Sequence, residues 1–412
     1  MPDCWLPGTE GSHFPVQALP YGVFSRPGQA PRVGVAIGAH VLDLAPALSA
    51  DGERAALVEA LARPALDGLL ALGPPAWAAV RSRVTGLLTD PTYRPVVEPH
   101  LVPQDQVRLH LPFTVADFVD FYASRHHAEN MGRILRPGTD PLPAAWRELP
   151  IGYHGRAGTV VVSGTPVRRP CGLRRVGEAP RPAYGPTERL DLEAEVGFVV
   201  GVPSALGTRV PTTAWREHVF GVVLVNDWSA RDMQAVEYVP LGPFLAKSFA
   251  TSVSAWVLPL AALDAAWLPP PVQDPEPAAY LRPPGPGLDL ELTVWLNGAA
   301  VSRPRSADLY WTPAQQLAHL TANGAALRTG DLYASGTVSG PERDQRGSLM
   351  ELTWGGTEPL PLPDGSRRTF LADGDTVTVT ATAPGADGVQ VHLGPVTGAV
   401  LPATPPPPAA PA

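Results

Sequence analysis

Residues 219–251 read VFGVVLVNDWSARDMQAVEYVPLGPFLAKSFAT. The opening run, Val219 to Val225, is apolar without alternation, the pattern of a strand buried on both faces. Behind its end come Asp227, Arg231, Asp232, Gln234, Glu237, Tyr238 and Lys247. Lys247 is the only lysine in the chain; every other fixed basic side chain is arginine. A lysine ammonium is a compact, tunable point charge, whereas a guanidinium is a wide, permanently charged fork. Two readings stand for Lys247: chance survival on a solvated face, or a site residue that arginine cannot replace. The apolar PFLAKSFA setting favours the second.

Outward from this stretch the chain reads as a strand-rich protein. Leu190–Val200 alternates and then turns apolar. Residues 288–296 alternate up to Asn297-Gly298, a hairpin turn. Residues 370–381 carry an Asp-Gly turn followed by Val377, Val379 and Ala381, and Ala157–Pro166 is a short apolar strand ending in a turn. One helix interrupts them, with Thr312 as N-cap, Pro313 at N1, Gln315 completing a capping box and Gly324 as the stop. Upstream, residues 32–44 read as a hairpin turning at Gly38-Ala39. Helical spacing follows over about 52–62 and from Pro74-Pro75 through Trp77, Val80, Val84 and Leu87. The prolines of residues 91–106 break periodicity and read as a linker. With 51 prolines and 40 glycines in 412 residues, long uninterrupted elements are disfavoured. The expected fold class is mostly β (α+β), with an N-terminal α+β domain over 1–112, a catalytic domain over 113–402, and a proline-rich disordered tail over 403–412. Pro269–Gly287 reads as an ordered surface loop.

Composition excludes several classes. The net charge is −8 with no basic run, so neither nucleic acid nor an anionic membrane is an expected partner. No apolar stretch is long enough to span a bilayer. Cys4 and Cys171 form neither a disulfide framework nor a cysteine zinc site, which fits a reducing compartment. The first residues lack a basic and an apolar region of the secretory kind. The expected location is cytoplasmic. A Gly-rich phosphate loop, a dinucleotide fingerprint and a GxSxG elbow are all absent.

Glu193 and Glu195 stand two apart in a strand, so their carboxylates share a face while Leu192, Ala194 and Val196 take the other. Two such charges repel unless one is protonated or a cation joins them. The open readings are an exposed acidic strand face and a hard-metal site of oxygen ligands. Asp227, closing another apolar strand, is a natural third ligand, and Asp120 in DFVDFYASRHH a fourth. The His126-His127 pair offers a general base, since imidazole titrates near neutrality; a structural histidine is the alternative. Glu351, in GSLMELTW, is either the acid that orients such a base or an ordinary strand acid. His154, among glycines, ranks below His127.

Six segments resemble the fumarylacetoacetase (fumarylacetoacetate hydrolase) family, in that family's order: DFYASRHHAENMG, LPIGYHGRAGTVVVSGTPVRRP, RLDLEAEVGFVVG, NDWSARDMQAVEYVPLGPFLAKSFATSVS, ASGTVSG and GSLMELTW. The amino-terminal region is similar to the family's small SH3-like domain. The resemblance implies a C-terminal mixed β-roll domain and a homodimer. It implies that Asp120, Glu193, Glu195 and Asp227 ligate a divalent metal, often Ca2+, and that a second ion, typically Mg2+, lies near Asp227, Lys247 and Thr251. An ammonium cannot ligate a cation, so Lys247 would contribute there through its backbone carbonyl. His127 is the implied base and Glu351 its orienting acid. Arg231, Gln234 and Lys247 are the implied stabilisers of negative charge. Tyr122, Arg136, Tyr153, Gln234, Tyr238 and Thr337 are the implied substrate contacts. His126 and Ala250 depart from the family pattern, where glutamine and glycine are common.

The implied reaction is hydrolysis of the carbon–carbon bond of a diketo acid, 4-fumarylacetoacetate, to fumarate and acetoacetate, the last step of tyrosine and phenylalanine degradation. Related rolls act as acylpyruvate hydrolases or decarboxylases. A metal-stabilised β binding module is the non-enzyme alternative. It accounts for the acids and strands but not for His127, Arg231 and Lys247 beside them.

Overall fold

The computed structural model describes residues 3–52, 55–177 and 179–404. The expected tail over 403–412 falls almost entirely outside the described residues.

The first strands are β1 (Tyr21–Ser25), β2 (Arg32–Ile37) and β3 (His40–Asp43). β2 and β3 form the expected hairpin, with Ile37 opposite His40 across the Gly38-Ala39 turn. Helix α1 (Pro74–Thr89) starts at the proline pair and buries Val80, Val84, Leu87 and Leu88 along one stripe. Residues 91–106 are not a linker. Within them β4 (Leu101–Pro103) pairs with β3, placing Val102 opposite Val41. Strands of three residues leave no periodicity to read, and prolines are tolerated at such an edge.

Four elements then carry site residues: β5 (Phe118–Phe121), α2 (Arg125–Leu135), β6 (Gly152–His154) and β7 (Leu190–Asp191). β8 (Ala194–Val200) follows β7 after a break at Leu192-Glu193. The expected continuous strand is therefore two. Asp191 pairs with Ser229 across one sheet, and Glu193 bridges Ser348 instead. β9 (Val219–Asp227) is the apolar run, then come β10 (Ser229–Ala230) and α3 (Arg231–Glu237). Next are β11 (Thr251–Val253) and β12 (Trp256–Pro259).

Later in the chain come β13 (Glu291–Leu296), β14 (Ala299–Ser302), α4 (Pro313–Leu320), β15 (Leu332–Ala334), α5 (Leu349–Leu352), β16 (Thr376–Pro384) and β17 (Gln390–Leu401), among shorter elements. The capping box at Thr312 and Gln315 forms as expected, but α4 ends at Leu320, before Gly324. The 269–287 loop lies against α4: Gln273 exchanges two hydrogen bonds with Gln315, and the Tyr280 hydroxyl shares one with His319 Nδ1.

One large sheet runs β4-β3-β2-β1-β12-β9-β8-β15-β5-β6. The N-terminal strands thus join the catalytic region through β1 and β12, with Tyr21 opposite Val257. A second sheet holds β14-β13-β16-β17 in order, and among the described residues neither closes on itself. The fold is mixed and strand-rich, as expected. β9 divides two cores. Val222 and Leu224 face one that includes the second sheet, while Val223 and Val225 face the other with the N-terminal strands. Both faces being covered is the reason the run lacks polar residues. Trp228, fully buried beyond the end of β9, donates from Nε1 to Ser252 Oγ at 2.9 Å.

Candidate active site

The sheet brings distant acids to one place by pairing strand ends. Asp120 sits opposite Ala334 of β15 and Tyr153 of β6. Glu195 sits opposite Val225, two residues before Asp227, and Asp227 opposite Thr251. Gly336 keeps the strand ends close: its φ is +75°, and a Cβ there would stand 2.1 Å from the Phe121 carbonyl oxygen. Carboxylate oxygens of Asp120, Glu193, Glu195 and Asp227 consequently lie within 4.8 Å of one another, all four residues buried.

Two of these acids are already paired. Lys247 Nζ donates to Glu193 Oε2 at 2.5 Å and Asp227 Oδ2 at 2.8 Å, and Arg231 Nη2 to Glu193 Oε1 at 2.6 Å. Thr251 Oγ1 and Tyr153 Oη also donate to Asp227, at 2.7 and 2.6 Å. Burial works against the Glu193 carboxylate, but Lys247 and Arg231 outweigh it and hold its pKa below the usual range. Burial likewise opposes the Lys247 ammonium, yet Asp227 and Glu193 raise its pKa and keep it charged. The only lysine in the chain is therefore a buried counter-charge and not a surface remnant.

The other two acids have no such partner. Asp120 Oδ1 and both Glu195 oxygens are buried and accept no hydrogen bond. Burial, reinforced by the neighbouring carboxylates, pushes both pKa values well above the ordinary range. Buried acceptors without donors are costly, and a bound cation or a shared proton removes the cost. The four-carboxylate set, free of sulfur and imidazole, fits a hard oxygen-seeking divalent ion. The cluster can hold a metal.

Beside it lies a cavity of about 320 Å³. Tyr122, Arg136, Tyr153, Gln234, Tyr238 and Thr337 all line it, and Asp120, His127, Glu193, Arg231 and Lys247 form its polar floor. His127 enters in the first turn of α2, where Ser124 caps its backbone N–H. Its Nδ1 lies 2.7 Å from Glu351 Oε2, and its Nε2 4.0 Å from Glu193 Oε1. Burial opposes the Glu351 carboxylate, but His127 and its hydrogen-bond donors hold it below its usual pKa. Glu351 is not a strand acid: it sits in the single turn of α5, whose N-cap is Ser348.

Arg231 and Gln234 share one face of α3, and Nη1 donates to the Gln234 carbonyl at 3.0 Å. Asp232 and Glu237, grouped with them in the sequence, serve nearby backbone N–H groups and, for Asp232, the Thr187 hydroxyl. Asp232 accepts from Thr187 and Glu188, and Glu237 from the Phe244 and Ala246 N–H groups. His154 lies exposed at the end of β6 and lines a smaller neighbouring cavity with Lys247 and Thr251. His126 does not line the main cavity. Sequence reasoning missed Asp191, which accepts from Arg231 Nε at 2.8 Å. It also missed Asn130, Ser339 and Ser348, which donate to Glu351 at 3.0, 2.9 and 2.8 Å. The DLEAE run carried a signal for Asp191, since 191, 193 and 195 alternate. Ser348 carried one too, three residues before Glu351 as in a capping box, whereas Asn130 and Ser339 carried none.

The description "Fumarylacetoacetate (FAA) hydrolase C-terminal" matches residues 117–399, and "Fumarylacetoacetase N-terminal" matches residues 17–112. This chain belongs to the fumarylacetoacetase family. The fumarylacetoacetase of Homo sapiens is 44% identical over 420 residues, covering 97% of this chain and 99% of the relative. That of Caenorhabditis elegans is 45% identical over 410 residues, covering 96% and 98%. The solved fumarylacetoacetate hydrolase of psychrophilic Exiguobacterium antarcticum, 17% identical, superposes over 93% of this chain and 99% of its own, with a TM-score of 0.54. That likeness concerns the fold.

Proposed function

We propose that the chain hydrolyses the carbon–carbon bond of 4-fumarylacetoacetate, giving fumarate and acetoacetate. Supporting it most is the convergence of a His127–Glu351 pair, an Arg231–Lys247 cationic pair and a four-carboxylate cluster that reaches the same cavity through Asp120 and Glu193. Full-length relatives named fumarylacetoacetase point the same way.

Water has to be made nucleophilic first. With Nδ1–H donated to Glu351, the His127 lone pair is on Nε2, facing the cavity, and takes the water's proton. Glu351 stays anionic and fixes the ring, held by Asn130, Ser339 and Ser348. Hydroxide adds to the fumaryl carbonyl, whose oxygen becomes an anion. The Arg231, Gln234 and Lys247 donors face that charge. Cleavage leaves the electron pair on the acetoacetate methylene carbon, and the His127 imidazolium returns its proton there. Tyr122, Arg136, Tyr153, Tyr238 and Thr337 orient the diketo acid, and Arg136 suits one of its carboxylates. Asp120, Glu193, Glu195 and Asp227 would hold Ca2+, with Mg2+ the choice near Asp227 and Thr251. Either ion, when bound, supplies Lewis-acid stabilisation of diketo oxygens.

The proposal includes a division near residue 112, a homodimer and a cytoplasmic location. The meeting of the two family matches supports the division, and exposed Leu241 and Phe244 offer an apolar surface for pairing. No described helix is long and apolar enough to cross a membrane.

Incubation with fumarylacetoacetate and with short acylpyruvates in parallel tests the substrate. Preferential formation of fumarate and acetoacetate supports the proposal. Turnover of acylpyruvates alone replaces it with the acylpyruvate hydrolase reading, and no turnover of either returns the chain to the binding-module reading.

A further inference from the structure

Asp191 is fully buried and does not line the cavity. Its four acceptor positions are all used. Oδ1 accepts from the Leu192 and Leu349 N–H groups, both at 2.8 Å. Oδ2 accepts from Arg231 Nε at 2.8 Å and from the Met350 N–H at 3.1 Å. Leu349 and Met350 begin α5, and the next residue is Glu351. One carboxylate therefore touches both the arm that carries the charge stabiliser and the turn that carries the acid behind His127. Its own backbone is pinned by the short β7–β10 pairing, two residues before Arg231.

The Arg231 guanidinium has one partner on each nitrogen: Asp191 on Nε, Gln234 on Nη1 and Glu193 on Nη2. A planar fork held at two ends by opposed carboxylates cannot turn about either contact. Burying a carboxylate costs several kcal/mol unless it is paired and hydrogen-bonded. A neutral side chain would cap the α5 turn without that cost, so the charge is explained by Arg231.

We propose that Asp191 is a positioning residue of the reaction, locking the Arg231 guanidinium and the Glu351-bearing turn into a single unit. The inference rests on the hydrolase reading above. Its consequence is that Asp191 acts through Arg231 and the turn behind His127, on the charge that develops during reaction and not on substrate binding.

Asp191→Asn tests this. The amide keeps Oδ1 for the Leu192 and Leu349 N–H groups but presents an NH2 to Arg231 Nε and to the Met350 N–H, donor against donor. The expected result is a kcat loss on the order of 100-fold with KM within about 2-fold, as for an interaction made only in the transition state. Combined with Arg231→Ala, the second substitution adds less than about 3-fold, because the two residues act as one unit. A purely structural role predicts multiplied losses. A kcat within about 3-fold of wild type, or full multiplication in the double variant, overturns the inference. Should Asp191→Asn not fold, Arg231→Lys decides, since it keeps the charge and leaves Asp191 in place. Loss equal to that of Arg231→Ala supports the inference, and near wild-type turnover overturns it. An inactive wild-type chain removes the hydrolase reading and the inference with it, whereas an active wild type with fast Asp191→Asn overturns the inference alone.

Discussion

Replacing Glu195 by glutamine has opposite effects on stability with and without a divalent ion. Both Glu195 oxygens are buried without a donor, and the other three carboxylates of the cluster stand within 4.8 Å. At that separation and an effective dielectric of about 20, one like-charge pair repels by about 3.5 kcal/mol. Lys247 and Arg231 are already committed to Glu193 and Asp227, so Glu195 and Asp120 carry the excess. Protonation relieves part of it, which caps the gain from glutamine at about 1–3 kcal/mol; the new amide also gives Asp120 a donor. In chelator the variant melts higher, by roughly 2 °C per kcal/mol in a chain of this length. Added metal reverses the order. At 100 times its Kd an ion stabilises the wild type by about 2.7 kcal/mol. A 100-fold loss of affinity in the variant reduces that to about 0.4 kcal/mol at the same concentration. Differential scanning calorimetry in chelator, then across a calcium or magnesium series, reads both signs. A variant that melts lower in chelator and keeps the full metal-induced rise refutes the reasoning, because Glu195 would then be neither strained nor a ligand.

Four more predictions follow from the same contacts. His127→Ala lowers kcat by about 10²–10⁴-fold while leaving metal content unchanged, measured by steady-state kinetics and elemental analysis; near wild-type turnover removes His127 as base. Lys247→Arg is poorly active despite its retained charge, because a fork cannot occupy the point where Nζ meets both Glu193 and Asp227; unchanged kinetics would make the lysine incidental. Glu351, held below its ordinary value of about 4.3, contributes stability that is complete above that pH and is lost as pH falls through its lower folded value. Glu351→Gln accordingly flattens the acid-side fall in melting temperature, and an unaltered slope counts against the His127–Glu351 coupling. Trp228→Ala, at a fully buried site, costs about 3–5 kcal/mol by denaturant titration, and a loss below about 1 kcal/mol would mean the site collapses freely.

Periodicity and capping made much of the fold legible. The unbroken apolar run of β9 announced burial on both faces, and the Thr312-to-Gln315 box announced α4. What periodicity could not reach were elements too short to repeat, such as β4 and α5, and the break between β7 and β8. That break arises because Asp191 and Glu193 serve different partners, Ser229 and Ser348 being their respective neighbours across the chain. The site followed the same division. Charged residues and the solitary lysine stood out against a 17% charged background. Asp232 and Glu237 stood out equally, yet they hold backbone, because spacing on a helix does not say which carboxylate meets a cation and which meets an N–H. Asn130 and Ser339 reach Glu351 from positions that only the folded chain brings together, whereas Ser348 is its neighbour in the same helical turn.

The central claim is that water, activated at His127, becomes part of the acyl product. Reaction of the metal-replete protein with fumarylacetoacetate in ¹⁸O-labelled water, followed by mass spectrometry of the fumarate, tests it directly. The account predicts about one labelled oxygen in each fumarate, as hydrolysis at the fumaryl carbonyl demands. Unlabelled fumarate, or a diketo acid left intact, contradicts it.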